Sequence, residues 1–141
     1  MQEIIDVTQT LAAPAERVWP ALEAFGGLER WFGIIDACRV TGTGVGAVRE
    51  LRLGNGELMV DVLTALEPAA WRLSYFRERL PFPVTDYHGE VSLRAVGAGE
   101  CELLWRVSYE VQADQRDEMA NLITAALTDG VAGLARELIG G

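Results

Sequence analysis

Two charged side chains, Arg49 and Asp61, fall on strand positions whose neighbours are apolar. Arg49 shares its face with Leu51 and Leu53, and Asp61 lies between Met59 and Leu63. A period of two sends alternate side chains to the same face, so each charge points into an apolar layer. A charge buried alone costs several kcal/mol, so the two must be matched or wetted. The turn at Gly54-Asn55-Gly56 decides whether they meet. With three turn residues and Gly56 left-handed, Leu53 pairs with Glu57, and counting back sets Arg49 against Asp61. A two-residue Asn-Gly turn instead sets Glu50 against Asp61, which is repulsive, but it brings Leu51 to Val60 and Leu53 to Leu58. Paired, Arg49 and Asp61 could orient a ligand carbonyl, hydroxyl or carboxylate in an apolar cavity, or act as a structural ion pair at its rim.

Other reactive groups are few. Tyr75, Tyr87 and Tyr109 bring phenols to the same inner face, and Tyr87 stands beside Gly89, where no side chain fills the space. His88 alternates to the outer face, which argues against a catalytic imidazole. Cys38 and Cys101 have no neighbouring base in sequence and read as packing thiols. There are three serines, none within Gly-x-Ser-x-Gly, so a hydrolase elbow is excluded.

The elements that position these groups follow from periodicity and punctuation. Residues 3–10 are β-branched and alternating, which predicts a strand. Ala12 to Trp19 starts a helix with Pro14 in its first turn and Glu16 at its positive end, and Pro20 should shorten or kink it. Phe25-Gly26-Gly27 breaks the chain before a second short helical piece at 28–32. Turn residues then separate six strands at about 34–41, 46–53, 57–66, 70–77, 86–96 and 101–110, in hairpin order. Their inner set includes Trp71, Leu73, Val91, Leu93, Leu103, Trp105 and Val107. Between Asp114 and Ile139 the apolar residues Met119, Leu122, Ile123, Ala126, Leu127, Val131, Leu134 and Leu138 trace one helical stripe. Asp114, Asp117 and Glu118 should cap its start, and Gly140-Gly141 should end it. Gly130 and Gly133 weaken a helix, so their use is close approach to another element.

The 141 residues make one domain, spanning 1–141, large enough to bury a core without disulfides or a structural metal. Half of them are apolar, and 12 basic against 21 acidic side chains leave a net charge of −9. That field repels nucleic acid and anionic lipid surfaces, so neither is an expected partner. Every basic residue is arginine, which removes Schiff-base, pyridoxal and P-loop lysine chemistry. One histidine and two cysteines do not build a metal site, and no cofactor is expected. The Met1-Gln2-Glu3 start has neither a cationic region nor a long apolar run, which predicts no signal peptide or spanning helix. A cytoplasmic protein, monomeric or homodimeric, is the expectation.

The element order, the segment Ala13-Pro14-Ala15-Glu16-Arg17-Val18-Trp19 and the later Trp31 resemble the START/birch-pollen-allergen superfamily, whose fold is the helix-grip. Gly46-Ala47-Val48-Arg49-Glu50-Leu51, Pro83-Val84-Thr85-Asp86-Tyr87 and Leu104-Trp105 resemble its bacterial polyketide cyclase/dehydratase-like (SRPBCC) branch. The resemblance covers essentially the whole chain. It implies an α+β fold in which a seven-stranded curved antiparallel sheet wraps a long C-terminal helix, with two short helices after the first strand. It also implies a cavity for an apolar small molecule, and it favours the Arg49–Asp61 register. Plant abscisic-acid receptors share the superfamily; their ligand-anchoring lysine falls near Phe32 here.

Three functions remain open on this basis. The leading one is a carrier or sensor of a lipid- or polyketide-like molecule. The second is a cyclase, aromatase or dehydratase in which Arg49 polarises a carbonyl and Asp61 or Tyr87 moves the proton. The third is an acidic protein-interaction module. For the first, the expected lining is Arg49, Leu51, Met59, Asp61, Leu73, Tyr75, Phe82, Tyr87, Gly89, Val91, Trp105 and Val107 on the sheet side, with Met119, Leu122, Ile123 and Ala126 on the helix. The expected free space is roughly 300 Å³ or more, with Gly89 marking a void that a leucine would fill. The loops at 54–56 and 77–83 are the expected gates.

Overall fold

The computed structural model describes residues 1–139, and the expected Gly140-Gly141 helix stop lies outside them. Seven antiparallel strands form one curved sheet: β1 (Gln2–Leu11), β2 (Ile35–Thr41), β3 (Val48–Leu53), β4 (Leu58–Glu67), β5 (Arg72–Arg79), β6 (Val84–Gly97) and β7 (Glu100–Val111). Their order is β1-β7-β6-β5-β4-β3-β2, a meander closed at one edge by the first strand. Hairpin-length turns dictate that order, because each strand folds back on the one before it. The turn at 54–56 is the three-residue form: Gly56 has φ +88°, and the Leu53 amide donates to the Glu57 carbonyl at 2.8 Å. The register that follows pairs Arg49 with Asp61 and Leu51 with Met59.

Helix α1 (Ala15–Glu23) has Pro14 as its N-cap and runs through Pro20 to Glu23. Pro20 therefore does not cut it short, although it removes one backbone donor. A 3-10 turn at Leu28–Arg30 follows. The long helix α2 (Arg116–Leu138) begins after a 3-10 turn at Ala113–Gln115 and has no side-chain cap, contrary to the capping expected of Asp114. Asp117 and Glu118 still complement its positive end. No helix among the described residues is long and apolar enough to cross a membrane.

The apolar stripe of α2 packs into the hollow of the sheet, burying Met119, Ile123, Leu127, Val131 and Leu134. Its C-terminal half is fixed against the segment 28–33. A Cβ on Gly130 would lie 2.2 Å from the Phe32 ring, and one on Gly133 would lie 2.2 Å from the Trp31 carbonyl oxygen. Close approach is thus the use of both glycines. Asp129 accepts the Gly33 amide at 2.9 Å, and Glu137 accepts the Trp31 indole N–H. One strand start differs from expectation. Trp71 is only half-buried, in a left-handed conformation with φ +48° after the 3-10 turn Pro68–Ala70, so it does not join the inner face.

Gly133→Ala separates propensity from packing. Helix propensity alone would stabilise it by about 1 kcal/mol. Contact with a backbone carbonyl that cannot rotate away should reverse the sign, and thermal unfolding should show a lower Tm than wild type.

Candidate functional site

Four neighbouring strands set a line of polar side chains across the inner face. Arg49 on β3 pairs with Asp61 on β4, Asp61 with Arg77 on β5, and Arg77 with Tyr87 on β6. Asp61 is 0% exposed and Arg49 3%. Arg49 Nε donates to Asp61 Oδ2 at 2.7 Å, and its Nη1 reaches the Phe25 carbonyl at the end of α1 at 3.2 Å. Arg77 donates from Nε to Asp61 Oδ1 at 2.6 Å and from Nη2 to Oδ2 at 3.1 Å. The Arg49 guanidinium also lies 4.1 Å from the Phe25 ring centre and 4.5 Å from that of Tyr75, while Arg77 lies 4.7 Å from that of Tyr87. Such faces favour cations.

Burial alone would push the Asp61 carboxyl up, but the Arg77 and Arg49 guanidiniums outweigh it and hold the group below the usual carboxylate range. Asp61 is therefore an ionised anchor and a weak base. Burial pushes the Tyr87 phenol well above its ordinary range, so it acts as a hydrogen-bond donor. Tyr75 is raised likewise by burial, and its hydroxyl accepts the Trp105 indole N–H at 3.1 Å.

Between this row and α2 lies a chamber of about 50 Å³. Of the residues expected to line it, Met59, Tyr75, Phe82, Tyr87, Trp105, Leu122, Ile123 and Ala126 do so. Arg49, Leu51, Asp61, Leu73, Gly89, Val91, Val107 and Met119 do not line it. All eight are buried in the packed interior instead. The space is far smaller than the roughly 300 Å³ expected, because aromatic rings occupy it. Phe32 meets Trp105 edge-on at 5.4 Å, and Tyr87 stacks on Tyr109 at 6.1 Å. Gly89 is not a void: a Cβ there would stand 2.1 Å from Tyr75 Cζ, so a leucine would collide with that ring. The outer-face placement of His88 holds, with its Nε2 3.0 Å from Asp86 Oδ1.

The residues that sequence reasoning missed are Leu28, Phe32, Ile34, Ile35, Arg77, Leu80, Val84 and Leu127. Arg77 matters most. The expected strand 70–77 ends on it and the expected gate 77–83 begins with it, whereas β5 runs on to Arg79 and the alternation Leu73, Tyr75 continues to it. The charged run Arg77-Glu78-Arg79 obscured that signal. Outside the chamber a groove of about 710 Å³ opens between α2 and the turn at Gly54 and Asn55. Ile34, Phe82, Leu122 and Ala126 line both spaces.

The sequence matches the family described as "Polyketide cyclase / dehydrase and lipid transport" over residues 2–138. The chain belongs to that family. Abscisic acid receptor PYL2 of Arabidopsis thaliana is 40% identical over 93 residues, which are 64% of this chain. The matched stretch spans 41% of the receptor's length. A protein of Bacillus thuringiensis shares the fold with a TM-score of 0.85 at 22% identity, covering 96% of this chain and 98% of its own. Norcoclaurine synthase from Thalictrum flavum, solved with dopamine and hydroxybenzaldehyde, superimposes with a TM-score of 0.79 at 17% identity, over 96% of this chain and 86% of the synthase. These likenesses establish the START-like helix-grip fold.

Removing Asp61 leaves two buried guanidiniums without their counter-ion. Asp61→Ala should cost about 3–5 kcal/mol in urea unfolding. Arg49→Met/Asp61→Leu still strands Arg77, so only the triple variant that adds Arg77→Met should recover most of the loss. Because folding lowers the Asp61 pKa, its contribution is complete above the unfolded carboxylate value and disappears as pH falls through the folded one. The stability gap between wild type and Asp61→Asn should stay flat from about pH 7 to 5 and close below about pH 4.

Proposed function

We propose that this protein binds an apolar small molecule as a carrier or sensor, with the body of the ligand in the groove and one end in the chamber. The adjacency of the two spaces, whose linings share Ile34, Phe82, Leu122 and Ala126, carries this reading. Ile34 is 45% exposed and Leu122 39%, two large apolar side chains in the lining the two spaces share. An apolar recess with a few convergent polar groups is the usual form of a small-molecule site. The groove supplies volume that the ring-filled interior lacks. Leu80 and Phe82 from the 80–83 loop, with Gly54 and Asn55 opposite, are placed to act as gates. A receptor named for abscisic acid shares part of the sequence and a synthase holding small aromatic molecules shares the fold, which agrees with this assignment.

The cyclase or dehydratase alternative draws on the family description, and the chamber would offer it Arg77 and Tyr87 as hydrogen-bond donors. It lacks a base: no carboxylate or imidazole is among the chamber-lining side chains, and Asp61 is sealed between arginines. Binding without chemistry therefore leads. The free thiols Cys38 and Cys101 suit a reducing compartment, and we place the protein in the cytoplasm.

Ala126 is half-buried and borders both spaces, so a large side chain there takes up room in both without crowding the core. Ala126→Trp should weaken binding of the apolar probe 1-anilinonaphthalene-8-sulfonate by about tenfold, while Tm changes by only a few degrees. Equal probe affinity in the two proteins would place the site elsewhere. Native mass spectrometry of freshly purified wild type should show a co-purified small molecule that Ala126→Trp lacks.

A further inference from the structure

We infer that the ligand of this pocket carries an anionic head, a carboxylate in the simplest case, and that Arg77 recognises it. The inference rests on the binding function proposed above and specifies its ligand class. The buried row holds two guanidiniums, Arg49 and Arg77, and one carboxylate, Asp61. Among the described residues no second carboxylate lies within ion-pair distance of either arginine. One positive charge is therefore left over in an interior where water solvates it poorly, and an anion entering the chamber would balance it.

The two arginines are not equivalent. Arg49 spends Nε on Asp61 and Nη1 on the Phe25 carbonyl, its Nη2 is sealed from solvent, and it does not line the chamber. Arg77 lines the chamber, turns Nε and Nη2 to Asp61, and leaves Nη1 without a partner among the described residues. Beside it, Tyr87 also lines the chamber, its ring 4.7 Å from the Arg77 guanidinium and its hydroxyl without a side-chain hydrogen bond among the described residues. The Tyr75 hydroxyl accepts from Trp105 and keeps its own proton to donate. Arg77, Tyr87 and Tyr75, three residues able to donate, thus line one small space, and no carboxylate side chain is among its lining residues. Charge-assisted hydrogen bonds of this kind are the strong ones.

Size points the same way. About 50 Å³ admits a compact head such as a carboxylate and excludes an acyl chain or ring system, which must remain in the groove. Long-range electrostatics oppose this preference. A chain of net charge −9 repels anions at a distance, so selectivity for one has to come from the local site.

Decanoate and 1-decanol share an alkyl body and differ in the charge of the head, which makes them the test pair. Their affinities can be read by calorimetry and by the fluorescence of Trp105 in the chamber wall. Wild type should bind decanoate roughly tenfold more tightly than decanol. Arg77→Met should erase that preference by weakening decanoate and leaving decanol unchanged. Tyr87→Phe, which keeps the ion cluster whole, should narrow the preference to about threefold, so the test survives a poorly folded Arg77 variant. Equal wild-type affinities for the two probes would overturn the anionic head while leaving the apolar site standing. Failure of both to bind would overturn both readings. A preference that persists in folded Arg77→Met would remove Arg77 from the role.

Discussion

A carboxylate with no solvent exposure is held between guanidiniums from the strands on either side of it, and much of the interior is arranged around that fact. Asp61 could not stay ionised there without Arg49 and Arg77, and neither arginine could stay buried without Asp61. The cluster ties β3, β4 and β5 together and reaches the end of α1 through the Phe25 carbonyl. The aromatic faces of Phe25, Tyr75 and Tyr87 surround it, which softens the cost of removing the cations from water. A one-residue slip of β3 against β4 would place Glu50 beside Asp61, so the cluster also selects the register.

Packing of rings onto glycines shapes what is left of the hollow. Tyr75 lies over Gly89, and Phe32 lies over Gly130 and meets Trp105. These contacts reduce the enclosed space to about 50 Å³, with Arg77 and Tyr87 in its lining. They also seat the 28–33 segment on the C-terminal half of α2, so the helix is firmly clamped at one end. The other half, around Leu122 and Ala126, faces the open groove. Clamp and groove thus meet on the same helix, where Asp129 takes part in both.

On the function proposed above, this arrangement serves binding. The chamber presents donors and a surplus cation, which can hold an electron-rich head, while the one buried carboxylate is committed to its arginines. Proton transfer would need a group able to change protonation near neutral pH. The phenols are pushed up by burial and the carboxyl is held down by its partners, so both move away from that range.

Local rules in the sequence determined most of the architecture. Period-two alternation, hairpin turns and the stripe of α2 set the strand order and the inner faces, while the turn at 54–56 left two registers open, of which the family resemblance favoured the observed Arg49–Asp61 pairing. Each of those depends on residues close together in the chain or on one pairing step. The membership of the site did not. Arg77 joins the cluster because β5 continues through a charged run that locally reads as a loop, and its partner Asp61 is on another strand. Gly89 reads as empty when only its own side chain is counted, yet the Tyr75 ring from the neighbouring strand fills the place. Whether a gap between layers is space or packing depends on which distant rings turn into it, and only the assembled sheet and helix decide that.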